Sequence, residues 1–124
     1  MKNAIDWFEI PSTNFERAIK FYETILSAKL RLEQSPDIKM AILPYDGNME
    51  DAVGGAVVFA KHLKPSATGT LNYLACGNDL VTPLSKVVEA GGKVIMPKTA
   101  IGPNGFIAVF ADSEGNTIGL HSNN

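Results

Sequence analysis

Apolar and polar residues divide this chain into two stretches with the same order of elements. Runs of period two, typical of strands, are interrupted twice by apolar repeats at i, i+3, i+4 and i+7, which predict amphipathic helices. Each half therefore reads as a strand, a helix and three further strands. In chain order, the pattern predicts strands at 5–10, 29–34, 38–44, 52–60, 70–76, 93–96, 106–111 and 117–121, and helices at about 13–27 and 80–90.

Short signals mark the ends of both predicted helices. Thr13-x-x-Glu16 has the spacing of a capping box, in which two side chains bind the free amides of a first helical turn. Pro83 is compatible with the second helix only in its first turn. Gly91-Gly92 is placed to close that helix, because glycine adopts the left-handed cap conformation at no steric cost.

The C-terminal stretch predicts a hairpin. Phe106 to Ala111 is a continuous apolar run, which indicates a strand buried on both faces. Asp112 to Asn116 supplies turn residues, and Gly115 among them tolerates a positive φ. Thr117 to His121 alternates as the returning strand.

The two halves align with a constant offset of 65 residues. Trp7 in the first strand then corresponds to Asn72, and Asn14 before the first helix corresponds to Asp79. We interpret residues 1–124 as a single domain with one module at about 1–61, a linker at about 62–69 and a second module at about 70–124.

Composition restricts the possible partners. The 45% hydrophobic and 19% charged residues are ordinary for a globular domain, and a formal charge of −2 without a basic cluster gives no reason to expect nucleic acid or a membrane surface as partner. The single cysteine, Cys76, excludes an internal disulfide and a multi-cysteine metal site. No apolar run reaches the roughly 20 residues of a membrane span, and no signal-peptide pattern opens the chain, so we expect a cytoplasmic protein.

Four short pieces, in this order and at these spacings, resemble the vicinal oxygen chelate superfamily of glyoxalase I, bleomycin-resistance proteins and extradiol dioxygenases. They are Phe8-Glu-Ile-Pro11, Glu16-Arg-Ala-Ile-Lys-Phe-Tyr22, Ala90-Gly-Gly92 and Asp112-Ser-Glu-Gly-Asn116. The resemblance implies an α+β fold in which two tandem βαβββ modules form a curved, cup-like mixed sheet with the helices outside. Element order alone also fits a ferredoxin-like or ligand-sensing α+β domain.

The resemblance also implies where a metal would bind. Metal-using relatives take one ligand from the first strand and one from the last strand of each module, commonly His and Glu. The matching positions here are Trp7, Gly54 or Gly55 (the alignment is ambiguous by one), Asn72 and Gly119. Together they offer at most one weak amide oxygen, whereas a transition ion needs three or four donors. We therefore expect no metal and no other cofactor, and extra room in the cup at the glycines.

Seven residues are candidates for lining a ligand pocket in the cup. They are Trp7, Glu9, Met40, Gly55, Asn72, Gly119 and His121. Trp7 would provide a flat wall for a planar ligand, although a core tryptophan fits the pattern equally well. No catalytic residue is defined; Glu9 is the first candidate, as a general base inside an apolar cup, against the simpler reading of a solvated strand end.

For the other candidate pocket residues, a role in ligand binding also stands beside a purely structural role. Asn72 could orient a carbonyl group or bind its own backbone, and Met40 could adapt to a ligand. His121 could pair with a carboxylate or lie exposed near the C-terminus, whereas His62 in the linker is read as a surface residue. The stretch 97–105 is read as a loop, and its part Gly102-Pro-Asn-Gly105 could cover the mouth of the cup.

These observations favour a protein that binds a small organic molecule without the family metal. The alternative is a lyase or isomerase related to glyoxalase I, a lactoylglutathione lyase, or a dioxygenase, using an acid–base site or an unrecognised metal site. A structural or regulatory dimer without a ligand is the simplest reading. Because relatives often assemble the cup between two chains, we expect a homodimer.

Overall fold

The structure, a computed structural model, describes residues 3–46 and 52–124, so most of the predicted loop at 45–51 lies outside the described residues. Its elements repeat the predicted order of strand, helix and three strands. They are β1 (Trp7–Pro11), α1 (Phe15–Leu26), β2 (Arg31–Gln34), β3 (Ile38–Ile42), β4 (Gly54–Ala60), β5 (Asn72–Ala75), α2 (Val81–Ser85), β6 (Lys93–Ala100), β7 (Phe106–Ala111) and β8 (Thr117–Ser122).

Each half folds into its own four-stranded mixed sheet. The strand orders are β1-β4-β3-β2 and β5-β8-β7-β6. In both sheets the first strand runs parallel to the last strand of its half, and the other neighbours are antiparallel. This confirms the predicted α+β fold of two βαβββ modules. The two sheets are separate among the described residues, so the expected cup is not closed.

Helix α1 begins with a cap that the sequence placed one residue too early. Asn14, and not Thr13, is the N-cap, and its side-chain oxygen accepts a hydrogen bond from the amide of Arg17. The carboxylate that a capping box would take from Glu16 comes instead from Glu114, which accepts hydrogen bonds from the amides of Thr13 and Asn14. Glu114 lies 100 residues from Asn14 in the chain, so local spacing could not reveal it.

Helix α2 is shorter than the predicted 80–90. Regular helix ends at Ser85, and the chain continues as turns with three-residue hydrogen bonds, such as the one from the amide of Val87 to the carbonyl of Leu84. Val88 is 67% exposed, whereas Val87 is buried. Gly91 has a φ of +108°, as expected for a glycine that closes this segment. Neither described α-helix is long and apolar enough to cross a membrane.

One hydrophobic core joins the two modules. Helix α1 contributes five buried residues, and the core-facing residues of both sheets pack around them. The ring of Phe21 in α1 lies 5.8 Å from that of Phe110 in β7, centroid to centroid, and the buried Tyr22 hydroxyl donates to Asp112 at 2.6 Å. Because burial of these rings removes a large apolar area from water, the shared core stabilises the two modules as a unit.

Candidate functional site

Alternation along the strands separates the core face of each sheet from the face that points away from it, here called the open face. The open face of the first sheet carries a small second cluster of Ile42, Ala56 and Val58, with Trp7 and Met40 against it. Trp7 is half-buried there, so it is both a packing residue and part of an accessible surface. Its packing role is thereby observed, and its role as a wall for a planar ligand stays a prediction.

Glu9 lies beside Trp7 on the same face. The indole Nε1 of Trp7 donates a hydrogen bond of 3.3 Å to Oε2 of Glu9. Glu9 itself is exposed, so the structure does not enclose its carboxylate in an apolar cup. What the indole provides is orientation of the carboxylate beside an aromatic surface.

The last-strand position of the first module is Gly54 and not Gly55. Strand β1 pairs Trp7 with Gly54 and Phe8 with Gly55, so Gly55 lies on the core face beneath the ring of Phe8. A Cβ on Gly54 would come within 2.6 Å of the Tyr45 ring and 3.0 Å of the Trp7 ring. The predicted pocket residue Gly55 therefore lies on the core face and not on the open face, because strands alternate at every residue and a shift of one reverses the side.

The same one-residue shift affects the second module. Strand β5 pairs Asn72 with Ile118, a core residue, and pairs Tyr73 with Gly119. Tyr73, and not Asn72, therefore holds the open-face position that corresponds to Trp7. The sequence contained the signal for this: taking the buried Leu74 as a core position in the alternation puts Tyr73 on the other face.

Aromatic rings fill the space at both glycines. A Cβ on Gly119 would lie 2.3 Å from the ring of Tyr73, well inside van der Waals contact. The expectation of a roomier cup at Gly54 and Gly119 is thus wrong, because Tyr73 covers one glycine and Tyr45 and Trp7 cover the other. At the two last-strand positions, for which the resemblance implies carboxylates, this chain places glycines covered by aromatic rings.

His121 also lies on the open face of the second sheet. It is two residues beyond Gly119 in β8, half-buried, and its Nε2 lies 2.6 Å from the carbonyl oxygen of Asn104. Asn104 ends a short 3₁₀ turn at Gly102–Asn104, in the stretch predicted as a loop. The first part of that stretch is instead strand, since β6 continues to Ala100 with register shifts on either side of Met96.

A large cavity among the described residues includes Tyr45, Gly54 and Tyr73 in its lining. It has a volume of about 1090 Å³ and runs between the C-terminal end of α1 and strand β5, and Phe8, Leu26, Leu43 and Tyr73 contribute to its walls. A second cavity of about 210 Å³ lies between β1 and the second sheet.

The predicted pocket residues are distributed over these sites. Gly55 and Asn72 line the large cavity, and Glu9 and Asn72 line the small one. Trp7, Met40, Gly119 and His121 line neither and lie on the open faces. The seven residues thus do not converge on one cavity of a single chain.

The donor set does not fit a family-type metal. The first-strand and last-strand positions on the open faces are Trp7, Gly54, Tyr73 and Gly119, which carry a phenol oxygen and no imidazole or carboxylate. In the part of the chain that the structure describes, no three His, Cys, Asp or Glu side chains are grouped as a metal site would require. Burial raises the pKa of the Cys76 thiol, which disfavours the thiolate that a metal binds.

A pair of βαβββ modules with apolar, aromatic open faces defines a small α+β protein of the glyoxalase type. The sequence model of the Glyoxalase/Bleomycin resistance protein/Dioxygenase superfamily matches residues 4–120, so the chain belongs to this superfamily. The predicted family is thereby confirmed. No curated protein matches the chain.

Solved structures show the same fold. Glyoxalase I from Zea mays is 26% identical with a TM-score of 0.71; the match covers 95% of this chain and 45% of the maize chain, so this chain spans less than half of that enzyme. A trypanothione-dependent glyoxalase I from Leishmania major is 17% identical with a TM-score of 0.67, over 98% of this chain and 87% of that one. A glyoxalase/bleomycin resistance protein/dioxygenase family enzyme from Burkholderia phytofirmans is 12% identical with a TM-score of 0.68, over 96% and 98%.

Proposed function

We propose that this protein binds a small, planar organic ligand on the open faces of its sheets without the metal of its family. The observation that carries the proposal is the replacement of metal-ligand positions by aromatic rings, with Trp7 and Tyr45 over Gly54 and Tyr73 over Gly119. Aromatic faces attract flat apolar molecules through burial and stacking, which stabilise a complex without any ion. Glu9, held by Trp7, supplies a polar anchor at the edge of this surface.

The pocket is completed by a second copy of the chain. The two modules share a core, so each sheet directs its open face away from that core. Tyr73 is 46% exposed and the neighbouring Leu71 is 38% exposed, which leaves apolar surface for a partner to cover. In a homodimer, an open face of one copy would meet an open face of the other and enclose the ligand between them. A cytoplasmic location stays a prediction from the sequence.

Ligand binding to matched variants tests this proposal. Titration with a panel of planar aromatic compounds should quench the emission of Trp7, the only tryptophan. By calorimetry, Trp7→Ala and Tyr73→Ala should each weaken binding of the same compound at least about tenfold, the loss of one good stacking contact. Phe59→Ala is the control, because Phe59 is an exposed aromatic residue on the other face of β4. Equal losses in all three variants, or no binding by any compound, would refute the proposal.

The second candidate is a lyase or isomerase related to glyoxalase I, or a dioxygenase. It is favoured by the carboxylate of Glu9, which the Trp7 indole orients toward an aromatic surface where a substrate would lie. The likeness to the maize glyoxalase I is the comparison that supports it. Glu9→Gln separates the two candidates: loss of glyoxalase activity with ligand affinity retained indicates catalysis, and an inactive wild-type protein that still binds ligand indicates a binding protein.

A further inference from the structure

The imidazole of His121 is held in one orientation by a backbone carbonyl. Its Nε2 lies 2.6 Å from the carbonyl oxygen of Asn104. A carbonyl oxygen only accepts hydrogen bonds, so Nε2 must carry the proton and donate it. In the neutral ring the proton is then absent from Nδ1, which keeps a free lone pair.

The turn that presents this carbonyl is fixed by its own hydrogen bonds. The amide of Ile101 donates to the carbonyl of Gly105 at 2.9 Å, and the amide of Gly105 donates back to Gly102 at 3.2 Å. Gly105 has a φ of +101° and lies against β8, where a Cβ would come within 2.4 Å of the carbonyl oxygen of Ser122. Both the positive φ and the contact with Ser122 disfavour any side chain at position 105. The fold therefore fixes the backbone here and, with it, the position of the Asn104 carbonyl.

We propose that His121 determines ligand specificity by accepting a hydrogen bond through Nδ1. His121 shares the open face with Tyr73 and Gly119. A planar ligand stacked on Tyr73 in β5 would therefore lie alongside β8, the strand that carries His121. The inference rests on the proposed function and narrows it: the ligand is an aromatic molecule that bears a donor, such as a hydroxyl or an amide N–H, at its edge. His121 is a recognition residue here, and Asn104 is the positioning group that fixes its tautomer.

A pair of probes that differ in one donor tests this inference. 2-Naphthol and 2-methoxynaphthalene have the same ring system, but only the naphthol donates a hydrogen bond. The wild-type protein should bind the naphthol roughly tenfold more tightly, the value of one hydrogen bond to a neutral group. In His121→Gln, whose amide can replace only Nε2, the preference should fall to about unity. His121→Asn, which can place an acceptor near Nδ1, should retain part of it, and His62→Gln in the linker should retain all of it.

Nitrogen NMR of the imidazole gives a second, ligand-free readout. The neutral ring of His121 should show a protonated Nε2 and an unprotonated Nδ1. The opposite tautomer, or equal affinities for the two probes in the wild-type protein, would overturn the role of His121 and leave the aromatic site intact. If neither probe binds while another compound of the planar panel does, the specificity role fails and the proposed function stands; if no compound of the panel binds, both fail.

Discussion

The glycines at positions 54 and 119 are explained by the rings that lie over them. Glycine in a strand normally costs about 0.5–1 kcal/mol relative to alanine, because the unfolded chain is more flexible. Here the absence of a side chain lets the ring of Tyr73 pack against β8, with its nearest atom 2.3 Å from where a Cβ of Gly119 would be. The packing of the Tyr73 ring thus offsets the cost of glycine in the strand.

The effect of Gly119→Ala on the free energy of unfolding should therefore reverse in sign when Tyr73 is removed. In the wild-type protein it should destabilise by about 1 kcal/mol, because the added methyl group displaces the Tyr73 ring. In the Tyr73→Ala background the same substitution should stabilise by about 0.5 kcal/mol, since only the strand preference remains. Urea unfolding of the four proteins measures both values. Stabilisation of the wild-type protein by Gly119→Ala would show that the ring does not cover this position.

The residues of the site could be predicted only to within one position. The motif and the alternation place Trp7 and Gly119 on the open faces, as the strand pairing does, and their part in a ligand pocket stays a prediction. Asn72 and Gly55 are each one residue away from the open-face positions Tyr73 and Gly54. In a strand, a shift of one residue moves the side chain to the opposite face of the sheet. The sequence alignment does not identify Tyr73, because matching Asn14 to Asp79 gives an offset of 65, whereas Trp7 and Tyr73 are 66 residues apart.

At the scale of elements, helix α1 is coupled to the β7–β8 turn by one carboxylate. The fully buried side chain of Glu114 accepts hydrogen bonds from the amides of Thr13 and Asn14 and forms an ion pair of 2.7 Å with Arg17. Burial alone would raise the pKa of Glu114, but the hydrogen bonds from Arg17 and the two amides outweigh it and lower the pKa from 4.5 to about 2. The turn of one module thus caps the helix of the other.

The low pKa of Glu114 predicts a specific loss of stability in acid. A carboxylate whose pKa is depressed by folding stabilises the folded state above its unfolded pKa, near 4.5, and that contribution is lost as pH falls toward 2. Glu114→Gln should lower the free energy of unfolding by about 1–3 kcal/mol at pH 7, through lost hydrogen bonds to a charged group. The difference from the wild-type protein should shrink between pH 4.5 and pH 2.

Urea unfolding across this pH range measures the effect, with Glu89→Gln as control because Glu89 is exposed. A difference between wild-type protein and Glu114→Gln that does not depend on pH would contradict the role of the ionised carboxylate.

Element order and most strand bounds followed from the sequence, whereas helix ends did not. Alternation and the hairpin turn are local signals, and Gly115 has the predicted positive φ of +90°. The cap at Asn14 depends on Glu114 from the opposite end of the chain, and the regular part of α2 ends at Ser85. Contacts of this kind are set by tertiary structure, which no local pattern contains.

At the scale of the whole molecule, the back-to-back packing of the modules predicts a dimer. The core joins the two halves through α1, and apolar residues such as Tyr73 remain exposed on an open face. Sedimentation equilibrium should give a mass near twice the 13.3 kDa of one chain. Tyr73→Lys should shift the protein toward the monomer, because a charge would be buried in the interface, whereas Glu89→Lys at an exposed position should not. A monomeric wild-type protein at all concentrations would contradict this assembly.

The most direct test of the metal-free aromatic site is titration with transition ions while Trp7 emission is recorded. An ion held at the family positions would lie beside this indole, so bound Ni²⁺ or Co²⁺ would quench it strongly. We expect no saturable quenching, and no zinc, nickel or iron near one equivalent per chain after dialysis, because Trp7, Gly54, Tyr73 and Gly119 provide too few donors. Saturable quenching at one ion per chain, with the ion retained through dialysis, would contradict the account.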